Sequence, residues 1–367
     1  MKVPFVDLPA GIRPHRDEYL ARITEVLDSA YFAGGPNVSG FESEFASYCG
    51  TEHAVAVANG TDALILMMRA AGIGPGDEII TAPNSFFATA EAISLVGATP
   101  VFADVHDDTL LLDADRVAER ITERTKAIVP VHLFGQVAAM EPLRALAEER
   151  GLLLLEDSAQ AHGATRAGQR AGSLALAASF SFYPAKNLGA FGEGGAITTN
   201  SAELADKARA LRDHGQVGKH NHQYIGYNAR LPAMLCACLR VRLSHLDEYN
   251  AGRRRAAARY DQALAGVDGV RRVTVDDAGE PVYHLYVVRV NERDRVRSAL
   301  GDAGVASGIH YPIPIHLQPA YEHLGHNPGD FPVAERAAGE MISLPMYPEL
   351  TDEAIAYVVE QLVANLS

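Results

Sequence analysis

The chain has 367 residues, 48% of them hydrophobic and 21% charged, which excludes intrinsic disorder and allows two or three domains. Its 32 basic and 46 acidic residues give a formal net charge of −14, which disfavours nucleic-acid binding. No apolar run is long enough for a membrane span, and the N-terminus lacks a signal-peptide pattern. Three cysteines, Cys49, Cys236 and Cys238, are too few for a disulfide framework and are expected to lie buried. We therefore expect a reduced, cytoplasmic protein.

Short apolar runs alternate with helical patterns from residue 53 to about residue 200. The predicted strands cover residues 53–58, 78–82, 99–105, 126–133, 152–155, 177–183 and 196–199. The predicted helices between them cover residues 61–71, 86–96, 113–121 and 140–150. This alternation indicates an α/β fold with a mostly parallel central sheet that is covered on both faces.

The pattern changes after about residue 200. A helix is predicted over residues 201–212, and a stretch rich in Gly, His and Asn follows at 214–228. Residues 232–265 form either one long helix or two, and residues 283–290 alternate like a strand with one solvent-facing side. Further helices are predicted over 333–342 and 352–366. We expect a large domain over residues 1–245 and a smaller C-terminal α+β domain over residues 246–367.

Three segments could carry chemistry, and the first is Asn59-Gly60-Thr61-Asp62, where a strand ends and a helix begins. Free N–H groups and the helix dipole make such a terminus an anion site. Gly60 allows a close approach of the backbone, and Thr61 can add a hydroxyl. The alternative is that Thr61 only caps the helix.

The second segment, residues 156–163, places Asp157 where a buried strand ends, and ligands of open α/β sheets bind beyond that end of the strands. Asp157 could hold a protonated heterocycle nitrogen or simply cap a turn. In the third segment, residues 179–195, Lys186 stands between a strand-like run and a glycine cluster. A lone lysine is usually a solvated surface residue. The glycines match neither a dinucleotide fingerprint nor a phosphate-binding loop of the Walker type.

Together, the three segments point to one cofactor. A phosphate cradle, an acid for a pyridinium nitrogen and a desolvated lysine are what pyridoxal phosphate requires. An aromatic ring usually stacks on this cofactor, and Phe86 follows another predicted strand, although it could also be a core residue.

The sequence resembles the DegT/DnrJ/EryC1/StrS family of sugar aminotransferases along nearly its whole length. The matching motifs are NGTDAL at 59–64, EDSAQAHG at 156–163, YPAKNLG at 183–189, GYNARL at 226–231, GIHYP at 308–312 and SLPM at 343–346. The resemblance implies the aspartate-aminotransferase type of fold, known as fold type I, and pyridoxal phosphate as cofactor. It also implies transamination that cycles through pyridoxamine phosphate, with glutamate as donor.

The family pattern assigns roles to the matching positions. Lys186 would hold the cofactor as a Schiff base and then shuttle the proton, and Asp157 would pair with the pyridinium nitrogen. Gln160 would lie near the ring hydroxyl and Phe86 would stack on the ring. The phosphate would be held by Gly60, Thr61 and Ser181, and by Asn228 of the partner subunit. A homodimer with shared active sites follows from that last assignment.

The substrate implied by the resemblance is a nucleotide-linked ketosugar. The residues expected to face the sugar are Tyr183, His310, Tyr311 and His316, and Lys219 and Arg230 are candidates for the nucleotide. The stretch after Lys186 is closest to enzymes that aminate C3 of a dTDP-3-keto-6-deoxyhexose, although Glu193 stands where many of them have Asp. A C4-keto nucleotide sugar, a ketocyclitol and a non-catalytic regulatory role are the alternatives. No metal centre is expected, because the segment around His220 and His222 lacks acidic ligands.

Overall fold

The computed structural model describes residues 1–366. Within them, thirteen β-strands are formed: β1 His53–Val57, β2 Glu78–Thr81, β3 Thr99–Phe102, β4 Thr125–Val129, β5 Leu153–Asp157, β6 Thr165–Arg166, β7 Gln169–Arg170, β8 Ala177–Ser181, β9 Gly195–Thr199, β10 Val270–Arg272, β11 Gly279–Glu280, β12 Tyr286–Val290 and β13 Met341–Leu344.

The same residues form thirteen α-helices: α1 Leu8–Ile12, α2 Arg16–Ser29, α3 Pro36–Cys49, α4 Gly60–Ala70, α5 Ala88–Leu95, α6 Ala114–Ala118, α7 Met140–Arg150, α8 Ala202–Arg212, α9 Ala233–Ser244, α10 Leu246–Ala263, α11 Arg293–Asp302, α12 Pro332–Glu340 and α13 Asp352–Ala364. Short 3-10 helices cover Arg13–His15, Leu133–Gly135, Ile315–Leu317 and Pro319–Leu324.

A seven-stranded sheet in the order β1-β9-β8-β5-β4-β2-β3 forms the centre of the molecule. Neighbours from β8 to β3 are parallel, and β9 alone runs against its neighbours β1 and β8. The carboxyl ends of the other six strands therefore meet at one edge. The predicted α/β class and mostly parallel sheet are confirmed.

Apolar layers cover both faces of this sheet, because successive side chains of a strand point to opposite faces. Ala177 of β8 packs in a cluster with residues of α4 and α8. Phe180 of the same strand packs in a second cluster with residues of α3 and α9. The continuous apolar strands are thus buried on both sides, as their sequence predicted.

The C-terminal region builds a separate three-stranded antiparallel sheet in the order β10-β12-β13. The prediction of one solvent-facing side for residues 283–290 is wrong, because every residue of β12 is buried. The polar member, Arg289, is buried as an ion pair with Asp107 and Glu340. Charge pairing lets an arginine occupy a position that its polarity assigns to solvent.

Several predicted boundaries also change. Residues 232–265 form two helices that break at His245, and residues 341–342 belong to strand β13 instead of the preceding helix. Strand β4 ends before Pro130, which has no N–H for the sheet. The helices α1 to α3 had no counterpart in the predicted elements.

The division into two domains at residue 245 stays a prediction. Val3, which that division gives to the large domain, packs in the C-terminal core and pairs with Val305. Cys49, Cys236 and Cys238 are free and buried, as expected. A search of the described residues finds no helix that is both long and apolar enough to cross a membrane.

Candidate active site

The first part of the site is the N-terminus of α4, at the sheet edge where β1 ends. Asn59 caps this helix, since its side chain accepts a hydrogen bond from the Asp62 N–H at 2.8 Å. Thr61 is therefore free of the capping role that was its alternative interpretation. A Cβ added to Gly60 would lie 2.6 Å from the Cβ of Ser181, so the helix terminus and the end of β8 are in contact. This brings Gly60, Thr61 and Ser181 together around one helix terminus.

Asp157 ends strand β5 and is buried. Its Oδ2 accepts a 2.7 Å hydrogen bond from the Thr89 hydroxyl, and its Oδ1 accepts one from the Ala159 N–H at 3.1 Å. Both carboxylate oxygens are thus held in fixed directions. A buried, oriented carboxylate of this kind is suited to pair with a cationic ring nitrogen.

Lys186 lies in the loop after β8 and is only partly exposed. Burial lowers the pKa of its ammonium to about 8, and the negative charge of Asp157 opposes that shift. The alternative interpretation of Lys186 was a solvated surface residue, and its burial argues against that role. A lysine with a pKa close to neutral is available as a nucleophile and as a proton carrier.

Two aromatic residues, Phe86 and Tyr311, also belong to the candidate site. Phe86 is 55% exposed, and its ring lies 5.5 Å from that of Tyr311. The Tyr311 hydroxyl accepts a 3.3 Å hydrogen bond from Gln160, whose Oε1 accepts a bond from the Phe134 N–H. An exposed phenylalanine has an open face, so the core role considered for Phe86 does not describe it.

The family model for the DegT/DnrJ/EryC1/StrS aminotransferase family matches residues 14–363. The chain belongs to this family. A dTDP-3-amino-3,4,6-trideoxy-alpha-D-glucose transaminase of Streptomyces venezuelae is 47% identical over 349 residues, which are 95% of this chain and 92% of the relative. A UDP-N-acetyl-3-dehydro-alpha-D-glucosamine 3-aminotransferase of Acidithiobacillus ferrooxidans is 46% identical, with 97% and 96% of the two chains covered.

A solved structure of a similar protein has the same fold as this chain. The crystal structure of S. venezuelae DesV in complex with a ketimine intermediate superposes with a TM-score of 0.97 and 45% identity, covering 99% of this chain and 98% of that one. The fold is that of the pyridoxal phosphate-dependent transferases, and this family member is a sugar aminotransferase.

The residues of the aminotransferase site fit the cofactor pyridoxal phosphate. The helix terminus at Gly60 offers backbone N–H groups and the hydroxyls of Thr61 and Ser181 for a phosphate. Asp157 offers a buried carboxylate for the ring nitrogen, and Lys186 offers an amine of lowered pKa for the aldehyde. The donor set therefore has a partner for the phosphate, for the ring nitrogen and for the aldehyde of the cofactor.

Two further predicted sugar-facing residues border this site. Tyr183 is half exposed, and its carbonyl oxygen accepts a hydrogen bond from the backbone N–H of Lys186. His310 stacks on Phe5 and its Nδ1 lies 2.8 Å from the Ser343 hydroxyl. Burial, and next the charge of Lys186, lower the pKa of His310 to about 4, so its imidazole is neutral at pH 7. Their contact with a sugar remains a prediction.

The placement of His316 contradicts the expectation that its side chain faces the sugar. It is 2% exposed, its Nε2 lies 3.1 Å from Glu335, and its ring packs on Phe331. A side chain that is enclosed and already bonded offers no free surface to a substrate. The motif resemblance that suggested His316 is looser in this part of the chain.

The residues proposed for the nucleotide and the partner lie on an exposed surface. Asn228 accepts a 2.9 Å hydrogen bond from Arg230, which forms an ion pair with Asp213. Lys219 is exposed in the preceding segment. Across residues 1–366, none of Asn228, Arg230 and Lys219 shares a hydrogen bond with Lys186 or Asp157.

Three residues close to Asp157 or Lys186 were not predicted as site residues from the sequence. Thr89 is the second residue of α5 and bonds to Asp157, while His162 and His284 lie close enough to Lys186 for its charge to lower their pKa. Within the motif at 156–163, His162 was visible but received no role. His284 comes from a distant segment, and its only signal was a polar residue inside an apolar run.

Proposed function

We propose that this aminotransferase transfers the amino group of glutamate to C3 of a nucleotide-linked 3-keto-6-deoxyhexose, with dTDP as the nucleotide. The observation that carries the choice of carbon is that two relatives, at 47% and 46% identity, are named for a 3-amino or 3-dehydro sugar. They differ in the nucleotide, and the dTDP relative shares the higher identity.

Asp157 and Lys186 have different roles in the proposed reaction. Pyridoxal phosphate, when bound, supplies an electron sink that allows a proton to leave the carbon next to nitrogen. Asp157, fixed by Thr89, holds the positive charge of the ring nitrogen in place. Lys186 takes and returns the proton, because a pKa near 8 lets the amine exist in both forms at neutral pH.

The residues proposed to bind the substrate are chosen by where they lie in the structure. The half-exposed ring of Tyr183 and the neutral imidazole of His310 face the sugar, together with the Tyr311 hydroxyl. Lys219 and Arg230 provide positive charge for the diphosphate in a chain whose net charge is −14. Localised cations attract a diphosphate even when the whole protein is acidic.

We propose a homodimer in which Asn228 of one protomer completes the phosphate site of the other. The segment before Asn228 supports this, because Ile225 is 88% exposed and Tyr224 and Val217 are exposed beside it. A cluster of exposed apolar side chains is typical of a surface that another protein covers.

A half-reaction tests whether the chain is catalytic. We expect glutamate alone to abolish the absorbance of the lysine-bound cofactor in the wild type, and we expect Lys186→Ala to lack this absorbance from the start. A ketosugar added afterwards should restore the absorbance. Retention of the absorbance in Lys186→Ala, or no response of the wild type to glutamate, would contradict the assignment.

A further inference from the structure

The amine of Lys186 forms a hydrogen bond with the side chain of His284. The Nε2 of His284 lies 3.4 Å from the Lys186 Nζ, and no other side chain of the described residues shares a hydrogen bond with that Nζ. His284 lies in the segment before β12, whereas Lys186 follows β8. The contact therefore joins the C-terminal region to the cofactor site.

The backbone around His284 is held from several sides. The Val282 N–H donates to the Gly135 carbonyl at 2.9 Å, and the Asn187 side chain donates to the Val282 carbonyl at 2.9 Å. The buried guanidinium of Arg253 donates to the carbonyl of His284 at 3.3 Å. A clamp of this kind fixes where the imidazole points, so its contact with Lys186 is built into the fold.

The charges around the pair favour a neutral imidazole. Burial is the main cause that holds the pKa of His284 well below its usual value, followed by the positive charges of Lys186 and Arg253 and by the rings of His310 and His162. The charge of Lys186 interacts with Asp157, His162, His284 and His310. The other charged groups nearby line a small cavity together with Lys186 and are Asp7, Arg242, Arg253 and Glu349.

Only one direction of hydrogen bonding suits an ammonium. A protonated Lys186 has donors and no acceptor, so the Nε2 of His284 must accept and its proton must sit on Nδ1. That Nδ1 is buried and has no hydrogen-bond partner within the part of the chain described. The Nε2 of His284 thus accepts a hydrogen bond from Lys186, while the Nδ1–H has no partner among the described residues.

We propose that His284 is a positioning residue for Lys186, whose ammonium donates to its Nε2 and is thereby held at the cofactor site. The proposal rests on Lys186 being the proton carrier of the proposed function. Because the acceptor stabilises the charged form of Lys186, it keeps a proton on that amine for return to the substrate. Asp157 acts on the same amine through its charge, and His284 acts through a directed bond.

The titration of Lys186 in the full-length, cofactor-free protein tests this without any catalysis. The chain has five lysines, so labelling lysine with ¹³C at Cε gives few NMR signals, and Lys186→Arg identifies the relevant one. His284→Phe removes the acceptor and preserves burial, and His284→Leu is a second apolar variant in case the first folds poorly. His284→Gln retains an acceptor. His162→Gln is the matched control, because His162 is also buried near Lys186 but shares no hydrogen bond with it.

We expect the wild-type signal to titrate near pH 8 and the signal of His284→Phe to titrate about one pH unit lower, because the variant loses an acceptor that stabilises the charged amine. His284→Gln should lie close to the wild type, and His162→Gln should not move. An unchanged or raised midpoint in the apolar variants, or an equal shift in His162→Gln, would overturn the proposal. Failure of the glutamate half-reaction with these NMR shifts intact would overturn only the proposed function.

Discussion

Asp157 depends on a neighbour that is not part of its own motif. The Thr89 hydroxyl donates to one carboxylate oxygen, and the Ser85 hydroxyl lies 3.3 Å from that of Thr89. A buried carboxylate needs such donors, since removal from water penalises its charge. The strength with which Asp157 holds a cationic ring therefore depends on α5 as well as on β5.

Replacing Thr89 by Val tests this dependence. The variant removes the 2.7 Å donor to Asp157, and a hydrogen bond to a charged group contributes about 1.5–3 kcal/mol. We expect the affinity for pyridoxal phosphate to fall about tenfold or more, measured by absorbance as cofactor is added to the cofactor-free protein. Ser85→Ala, which leaves the bond from Thr89 to Asp157 intact, is the control. Equal affinities of Thr89→Val and the wild type would show that Thr89 has no such role.

At the scale of elements, the join between α4 and β8 forms the proposed phosphate site. Ser181 at the end of β8 pairs with Gly195 of the antiparallel strand β9, and a Cβ added to Gly195 would collide with the Asn59 carbonyl oxygen. Glycine at both Gly60 and Gly195 thus lets the helix terminus sit directly against the two strands. The position of the anion site follows from this close packing as much as from the helix dipole.

Gly60→Ala measures that packing. Its Cβ would collide with Ser181, and overpacking typically costs about 1–3 kcal/mol. We expect weaker binding of pyridoxal phosphate, with little change for pyridoxal, which lacks the phosphate. Gly74→Ala is the matched control, because the nearest atom to its Cβ is 3.9 Å away. An equal loss for both ligands would mean that Gly60 does not act at the phosphate.

The sequence predicted local features well and non-local ones poorly. The motifs around Gly60, Asp157 and Lys186 could be placed because each follows a strand, and parallel strands end at one edge. Arg289 misled the prediction for β12, since its ion pairs come from residues far away in the chain. His284 was missed for the same reason, because its partner Lys186 is brought to it only by the fold.

In the proposed homodimer, each active site is built from two chains. The exposed surface that carries Asn228, Arg230 and Ile225 has no bond to the cluster around Lys186 among the described residues. Supply of these groups by a partner explains both their chemistry and their location. Closed twofold symmetry would then give two equal sites per dimer.

Mixing two inactive variants tests the shared site. A dimer of one Lys186→Ala chain and one Asn228→Ala chain has one site with both changes and one site with neither. Random reassociation makes half of the dimers mixed, so we expect roughly a quarter of the wild-type activity. Each variant alone, treated in the same way, is the control. Activity no greater than the sum of the two controls would contradict a shared site.

The proposed reaction is amination at C3 with glutamate as the donor. It can be tested by NMR of the product formed from ¹⁵N-glutamate and a dTDP-linked 3-keto-6-deoxyhexose, with the dTDP-linked 4-keto isomer and a ketocyclitol supplied in parallel. We expect ¹⁵N bonded to C3 of the first substrate and little transfer to the others. Transfer to C4 of the isomer or to the cyclitol, with none to C3, would contradict it.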